Sequence, residues 1–302
     1  MLVHKPAALR PGARIGVVAP AGSVDEAPLR AGAAAIQAQG FEVELAPGIY
    51  ERDGYLAGDA SARARELLDF FRRRDIAAIF CARGGFGSVR LLQHLSEELR
   101  KYPKIFVGYS DITVLLNWLR HAGRMVTFHG PMVAMDLARG LNGKSNNHLW
   151  GVLSGEIRDW KIELGEVVRP GNISAEMMGG CLSMLVTTLG TAYEIDTDGK
   201  LLFLEDVGER PYRIERMLTQ LKMAGKLDGV AGVVFGDFTN CAGEGPRDVR
   251  EVIFDLFRDA RYPVVMGLPA GHGEENVALP FGVKMRLDGG KASLEMLESP
   301  VT

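Results

Sequence analysis

Short apolar runs alternate with helical patterns through the first half of the chain. The strand-like runs occupy residues 14–20, 41–47, 76–82, 104–109 and 124–131. The helical patterns occupy residues 26–40, 61–75, 88–95 and 111–123. Strands that alternate with helices in this way are typical of a parallel sheet with helices on both faces. We therefore predict an α/β fold for this half of the chain.

The pattern changes after residue 136. Residues 137–170 are polar and glycine-rich and contain few periodic runs, so we predict a connection between two domains there. Beyond it, several strand-like runs and two helical patterns predict a smaller, mixed α/β domain. The expected organisation is an N-terminal domain over residues 1–136, the connection over 137–170 and a C-terminal domain over 171–302.

The composition excludes two classes of partner. The chain has 302 residues, of which 47% are hydrophobic and 24% are charged, so it can bury a large core. Its net charge of -3, with no dense run of Lys or Arg, offers no basic surface for nucleic acid. No stretch approaches the roughly 20 apolar residues of a membrane-spanning helix. We expect neither nucleic acid nor a membrane as a partner.

Cysteine usage and the first residues indicate the compartment. Cys81, Cys181 and Cys241 lie far apart and form no C-x-x-C pair, which argues against a zinc ribbon and a disulfide framework. The first 20 residues contain no apolar run of signal-peptide length. We expect a cytoplasmic protein.

Ser110 stands where the fourth predicted strand gives way to a helix. Ligands of open α/β sheets bind beyond the carboxyl ends of the strands, and a helix start offers free backbone N–H groups there. The nucleophile turn of many hydrolases reads G-x-S-x-G, but the run Gly-Tyr-Ser-Asp-Ile at 108–112 lacks the second glycine. Two interpretations stay open: Ser110 is a nucleophile, or it caps the helix that follows.

A glycine-rich loop, "CARGGFGS", follows the third predicted strand. Gly84, Gly85 and Gly87 allow the backbone to approach a bound group closely. The loop could supply an N–H group opposite Ser110, cradle a phosphate, or simply form a tight turn. The phosphate interpretation, and with it a nucleotide-binding protein, lacks a Walker Lys-Ser/Thr and a ribose-binding acid at the expected place.

A serine nucleophile needs a base, and the base needs an orienting acceptor. His129 ends the fifth predicted strand, and His272 lies in a loop between two glycines, so each is a candidate base. The candidate acids are Glu205, at the end of an apolar strand, and Asp206 and Glu209, which could instead cap the next helix. The residues alone do not choose between the two histidines.

Several motifs together resemble one known family. They are "CARGGFGSVRLL", "VGYSDITVLLNWL", "FHGP", "MMGGCLSML", "FLEDVGERPYRIERML", "VVFGDFTNC" and "LPAGHGEENVALPFG". In this order they resemble the LD-carboxypeptidases, serine peptidases that trim murein peptides. The resemblance extends from about residue 14 to the C-terminus. It implies an N-terminal Rossmann-like domain and a C-terminal domain that together supply the catalytic residues.

The resemblance implies a catalytic triad in the chain order Ser, Glu, His. Carried onto this sequence, Ser110 is the nucleophile, His272 the base and Glu205 the orienting acid. The backbone N–H groups of Asp111 and Gly85 would form the oxyanion hole. The implied reaction removes the terminal D-alanine from diaminopimelate in murein tetrapeptides, and the implied protein is a cytoplasmic homodimer that uses no metal or other cofactor.

The substrate-binding residues are expected beside the glycine loop. Arg83 is available for the D-alanine carboxylate, although it could equally form a structural salt bridge, and Gly84 and Phe86 would line the pocket. The family often has Tyr in place of Phe86 and Asn in place of Cys181. These departures leave open a second branch of the family, which cleaves the amide link of microcin-type peptidyl nucleotides.

Overall fold

The computed structural model describes residues 3–243 and 247–302. These residues form two compact units. The first unit comprises the chain up to Ile157 together with Val277–Pro280 and Pro300–Thr302, and the second comprises Arg158–Asn276 and Phe281–Ser299.

Strands and helices alternate along the first unit and mix along the second. The strands are β1 (Arg14–Val18), β2 (Glu42–Leu45), β3 (Ile76–Cys81), β4 (Ile105–Gly108), β5 (Thr127–His129), β6 (Trp160–Glu163), β7 (Glu166–Arg169), β8 (Asn172–Cys181), β9 (Leu201–Val207), β10 (Gly232–Thr239), β11 (Val264–Met266), β12 (Leu279–Phe281), β13 (Lys284–Asp288) and β14 (Ser293–Met296). The α-helices are α1 (Glu26–Ala38), α2 (Ala60–Arg72), α3 (Thr113–His121), α4 (Gly143–Ser154), α5 (Leu182–Val186), α6 (Pro211–Met223) and α7 (Val249–Phe257). Short 3-10 helices occupy Ser88–His94, Glu97–Lys101 and Ser110–Ile112, and a π-helix occupies Val133–Leu137.

The first unit is built on a six-stranded sheet in the order β12-β5-β4-β3-β1-β2. β1 pairs in parallel with β2 and β3, β3 pairs with β4, and β4 pairs with β5. Parallel strands joined through helical segments bring their carboxyl ends to the same edge of the sheet. The α/β fold predicted from the alternation is confirmed, and the segments after β1, β3 and β4 begin at one edge.

The central strands are apolar on both faces because helical segments cover both faces. Ile15 and Val17 of β1, and Ile79 and Phe80 of β3, have no exposed surface. Burial of each such side chain contributes about 1.5–3 kcal/mol. This core fixes the strand ends on which the loops of the site depend.

Helix α2 is set by its cap and by its apolar spacing. Asp59 precedes it and accepts hydrogen bonds from the N–H groups of Ser61 and Ala62 at 2.9 and 3.1 Å. Leu67 and Phe71, four residues apart, are completely buried. Arg63, one helical turn before Leu67, lies on the same buried face and is 4% exposed.

The second unit is built on an eight-stranded mixed sheet in the order β6-β14-β13-β8-β9-β10-β11-β7. Its centre is parallel: β8 pairs with β9, β9 with β10, and β10 with β11. β13, β14 and β6 extend one side in antiparallel pairs, and β7 closes the other side. A mixed α/β domain was predicted here and is confirmed.

Several segments differ from what the sequence patterns indicated, and α5 and β12 are among those not predicted. The helical pattern at 88–95 is a 3-10 helix at Ser88–His94, because so short a segment gains few α-helical hydrogen bonds. The predicted connection, 137–170, contains α4, β6 and β7. β8 was not predicted, because its first half is polar and its second half contains two adjacent glycines, both with positive φ.

Candidate active site

Ser110 lies two residues beyond Gly108, the buried last residue of β4. Its φ is 62°, a left-handed value that is uncommon for a residue with a Cβ. Neither of the helices that follow it, Ser110–Ile112 and Thr113–His121, has a side-chain cap, so Ser110 is not an N-cap. Strained backbone of this kind costs about 1–3 kcal/mol and clusters at functional sites.

The glycine loop packs directly against Ser110. A Cβ at Gly84 would lie 2.9 Å from the Ser110 Cβ and 3.0 Å from its Oγ, so only glycine fits there. Gly85 and Gly87 have φ values of 103° and 122°, which glycine alone adopts without strain. Phe86 is 40% exposed, with its ring edge-on to Tyr55 at 5.9 Å. The structure therefore brings the loop and the serine together.

Asp111 joins the serine turn to the far end of the same loop. Its Oδ2 accepts the N–H of Ser88 at 2.8 Å, and its carbonyl oxygen accepts the Ser88 hydroxyl at 2.5 Å. Burial raises the pKa of Asp111, while the hydrogen bonds of Ser88 and Gly87 oppose that shift. The Asp111 side chain thus holds the loop, and its own backbone N–H lies in the first turn of a helix, where an intrahelical partner is lacking.

A histidine and a carboxylate pair closely in the second unit. His272 Nδ1 lies 2.7 Å from Glu205 Oε2. Glu205 is completely buried, and the His272 side chain is 15% exposed. Burial raises the pKa of Glu205, and the hydrogen bond of His272 opposes the shift. With Nδ1–H donating to Glu205, the ring presents Nε2 as its acceptor.

Two backbone features hold this pair. Gly271 has a φ of 123°, and a Cβ there would lie 2.6 Å from Glu205 Oε2. The Gly271 N–H donates to Oδ1 of the buried Asn276 at 3.2 Å. A side chain at 271 would therefore displace either the loop or the carboxylate.

The two other candidate acids have structural partners. Asp206 accepts the N–H groups of Ser183 and Val207 at 2.7 and 2.8 Å, so it binds the start of α5. Glu209 lies 3.4 Å from Arg213 at the surface. Alternate residues of a strand point to opposite faces, which explains why Glu205 reaches His272 and Asp206 does not.

The rival base, His129, is completely buried at the end of β5. Its ring lies 5.6 Å from the ring of Tyr109. An enclosed imidazole beside an aromatic ring fits a packing role better than proton exchange with a substrate.

The remaining predicted residues lie along the loop. Arg83 Nη1 donates to the carbonyl oxygen of Ser23 at 3.3 Å. Arg83, Gly84, Gly85, Phe86, Ser110 and Asp111 belong to the first unit, and Glu205 and His272 belong to the second.

Asp237 was not singled out from the sequence. It lies on β10, and a Cβ at Gly273 would come within 2.2 Å of its Oδ2. Burial, and next the charge of Glu275, raise the pKa of Asp237 to about 6. The signal was available, because β9 and β10 each carry a carboxylate two residues before the strand ends, after an apolar run, as parallel neighbours can at a shared edge.

Residues 3–243 and 247–302 contain no group of three or more His, Cys, Asp or Glu side chains arranged to hold a metal ion. Within the same residues, none of the helices combines the length and the apolar character that crossing a membrane requires.

Comparison with known proteins identifies the family. Its models, described as the LD-carboxypeptidase N-terminal and C-terminal domains, match residues 15–130 and 174–287. A protein of Bacillus subtilis (strain 168) named "Probable murein peptide carboxypeptidase" is 39% identical over 295 residues, which cover 95% of this chain and 92% of that protein. The chain therefore belongs to the LD-carboxypeptidase family, and it is a hydrolase of the carboxypeptidase class.

Two further relatives indicate the breadth of that family. The crystal structure of muramoyltetrapeptide carboxypeptidase from Oxalobacter formigenes matches with a TM-score of 0.88 at 30% identity, covering 95% of this chain and 100% of that one. The microcin self-immunity protein of Escherichia coli is 26% identical over 298 residues, covering 87% of this chain and 86% of that protein.

Proposed function

We propose that the chain hydrolyses the LD-peptide bond between meso-diaminopimelate and the terminal D-alanine of murein tetrapeptides. In this proposal Ser110 is the nucleophile, His272 the general base and Glu205 the orienting acid. The observation that carries it is the 2.7 Å contact between His272 and a completely buried Glu205, in a chain of the LD-carboxypeptidase family. The murein substrate is supported by the names of the relatives in Bacillus and Oxalobacter.

Acylation begins when Ser110 Oγ attacks the carbonyl carbon of diaminopimelate. His272 Nε2 takes the hydroxyl proton and then gives it to the D-alanine nitrogen as the C–N bond breaks. Glu205 fixes the tautomer with Nδ1–H and stabilises the imidazolium that forms. Water then attacks the acyl-enzyme, with His272 again as the base, and Ser110 is regenerated. General base catalysis of this kind contributes about 10²–10⁴-fold.

The oxyanion of the tetrahedral intermediate is assigned to the backbone N–H groups of Gly85 and Asp111. The close packing of Gly84 on Ser110 supports this assignment, because the next N–H along the loop then lies near the nucleophile. Loss of one such donor costs about 2.7–4 kcal/mol of transition-state stabilisation.

The D-alanine carboxylate is assigned to the rim of the glycine loop. Arg83 supplies the cation, and Gly84 and Phe86 line the pocket beside it. Arg83 is only partly buried, and a guanidinium at the rim can pair with a carboxylate in a bidentate contact, which supports a ligand role.

The test is release of free D-alanine from L-Ala-γ-D-Glu-meso-diaminopimelate-D-Ala. We expect the wild-type protein to release it and Ser110→Ala to lower kcat by about 10⁴–10⁶-fold while the protein stays folded. A D,D-linked pentapeptide serves as the specificity control. D-alanine released from the pentapeptide alone, or by Ser110→Ala at the wild-type rate, would contradict the proposal.

A microcin-type substrate is the competing assignment, since the Escherichia coli self-immunity protein is also a relative. A peptidyl-nucleotide amide assayed in parallel discriminates the two branches, because the proposal expects the tetrapeptide to give the higher kcat/KM. The same resemblance leads us to propose a homodimer in the cytoplasm, and light scattering of the purified protein tests the dimer.

A further inference from the structure

The orientation of one peptide group in the glycine loop is fixed from outside the loop. The carbonyl oxygen of Gly84 accepts a hydrogen bond from the N–H of Gly22, with an N···O distance of 3.1 Å. All described peptide bonds are trans, so the Gly85 N–H points away from the Gly84 oxygen within the same plane. The segment after β1 therefore sets the direction of the N–H that the proposed function assigns to the oxyanion hole.

Gly22 makes this contact only because it lacks a side chain. A Cβ at Gly22 would lie 2.8 Å from the Gly84 oxygen and 3.4 Å from Arg83 Nε. The neighbour at 2.8 Å is backbone, which cannot rotate away as the end of a side chain can. Any side chain at 22 would push the Gly84–Gly85 peptide out of place.

Arg63 donates hydrogen bonds to the same two segments, the one after β1 and the glycine loop. Its Nη1 donates to the carbonyl oxygens of Pro20 at 2.5 Å and Gly87 at 3.0 Å, and its Nε donates to the Gly58 oxygen at 3.1 Å. Pro20 and Gly87 each lie two residues from one partner of the Gly22–Gly84–Gly85 contact. One guanidinium thus ties the segment after β1 to the glycine loop.

This guanidinium is deeply enclosed. Arg63 is 4% exposed, and its Nη2 finds no hydrogen-bond partner among the described residues. Its charge is opposed by Arg90 and favoured by the carboxylates of Asp111, Asp59 and Asp53. A buried cation destabilises the fold unless opposite charges or hydrogen bonds compensate it. The presence of Arg63 on an otherwise apolar helix face therefore indicates a role beyond packing.

We propose that Arg63 and Gly22 are positioning residues that hold the Gly84–Gly85 peptide in the orientation needed for the oxyanion hole. The inference rests on the proposed function for the role of the Gly85 N–H. Neither residue needs to touch substrate, and both act through the backbone of the glycine loop. Their loss should therefore weaken the transition state and leave ground-state binding nearly unchanged.

The experiment compares Arg63→Met and Gly22→Ala with two matched controls. Arg65→Met removes an exposed guanidinium of the same helix, which donates to the Ser61 hydroxyl at 3.1 Å. Gly143→Ala adds a Cβ that would meet no atom of the described residues within 4 Å. Thermal unfolding gives the Tm of each variant. Below that temperature we measure kcat and KM for D-alanine release and the second-order rate constant of Ser110 labelling by a fluorophosphonate.

Both positioning variants should lower kcat and the labelling rate by about 10²–10³-fold, as loss of one oxyanion donor does, with KM nearly unchanged. The two controls should match the wild type. Arg63→Met removes the hydrogen-bond donor of three backbone carbonyl groups, those of Pro20, Gly58 and Gly87, and should therefore also lower Tm. Gly22→Ala still tests the positioning role if Arg63→Met does not fold, because it leaves the Arg63 guanidinium in place.

The outcomes separate this inference from the proposed function. Wild-type kcat and labelling rate in folded Gly22→Ala or Arg63→Met would overturn the positioning role alone. A wild-type protein that is labelled at Ser110 but releases no D-alanine would overturn the substrate assignment, and the labelling rates would still decide the positioning role. A wild-type protein that does neither overturns both.

Discussion

The burial of Glu205 beside His272 indicates its role. The side chain has no exposed surface, and desolvation raises its pKa, yet it faces an imidazole at 2.7 Å. A carboxylate in this position is stabilised chiefly when His272 carries a positive charge, which is the state that the proposed acylation step would form. Under that proposal the pair stabilises the transition state more than the resting protein.

Replacing Glu205 with Gln tests that role. We expect Glu205→Gln to lower kcat by about 10⁴-fold, because an amide neither fixes the Nδ1–H tautomer nor stabilises the imidazolium. D-alanine release and thermal unfolding are measured on the same preparation. Glu209→Gln is the matched control, since Glu209 lies at the surface beside Arg213. A Glu205→Gln enzyme within a few-fold of wild type, or an inactive Glu209→Gln, would show that the acid has been misassigned.

Asp237 gives the His272 loop a pH-dependent stability. Its pKa in the folded protein is about 6, above the ordinary value of 3.8. Between pH 4 and pH 6 the folded state holds a proton that the unfolded chain releases, so this group's contribution to stability falls as pH rises through about 6. Above that pH the Asp237 carboxylate is charged in the folded protein, and the full desolvation penalty of that charge lowers the stability.

Asp237→Asn should remove this dependence, because an amide does not titrate, while its oxygen can still accept the Gly273 N–H. We expect its Tm to exceed that of the wild type by a few degrees at pH 8 and to match it near pH 4. Thermal unfolding across this range is the measurement, with the exposed Asp159→Asn as control. A Tm difference that is the same at every pH would exclude Asp237 as the titrating group.

The residues alone propose a nucleophile and a set of acid candidates but do not choose a base. Ser110 and Glu205 each follow a run of apolar residues, which a linear pattern shows directly. His129 and His272 both lie beside glycines, and what separates them is that His129 is completely enclosed against Tyr109. Enclosure of a side chain depends on contacts distant in sequence, so periodicity could not reveal which histidine is enclosed. Arg63 was missed for the related reason that helical spacing marks its position as core without saying what it binds.

The elements that sequence patterns predicted are those with strong local signals. Buried parallel strands read as continuous apolar runs, and all five such runs of the first half are strands. β8 has no such signal, since Gly179 stands where a side chain would collide with the neighbouring strand: a Cβ there would lie 1.9 Å from the Phe203 oxygen. Here close backbone approach, and not propensity, determines the residue.

In the first unit, the strand order brings the residues of the proposed site together more than any single element does. β1, β3 and β4 are neighbours in the sheet, although more than 80 residues separate the ends of β1 and β4 in the chain. Their common edge brings together the segment of Gly22, the glycine loop and the turn of Ser110. A chain with the same motifs in another strand order would separate these three segments, so topology is what the motifs alone leave unspecified.

The two compact units are not separated at a single point of the chain. The predicted boundary treats 171–302 as one domain, whereas Val277–Pro280 and Pro300–Thr302 belong to the first unit. The C-terminal residues pair with the N-terminal segment: the Thr302 N–H donates to the Pro6 oxygen at 2.9 Å, and the Thr302 oxygen accepts the Ala8 N–H at 2.9 Å. A local pattern cannot reveal pairing between opposite ends of a chain.

Truncation after Ser299 should therefore destabilise the first unit. The loss comprises two backbone hydrogen bonds, together worth roughly 1–3 kcal/mol, and burial of Val301, which is worth about 1.5–3 kcal/mol. Urea unfolding and amide hydrogen exchange report the effect, and exchange should accelerate at Ala8, whose N–H loses its acceptor. Thr302→Ala is the matched control, because it keeps both backbone bonds and the Val301 side chain and loses only the Thr302 Oγ1 hydrogen bond to the Pro6 oxygen at 3.3 Å, so it should destabilise the chain less than truncation does. If truncation leaves the unfolding midpoint and the Ala8 exchange rate unchanged, the C-terminal residues do not contribute to the stability of the first unit, and the earlier boundary at residue 171 describes the folding units better.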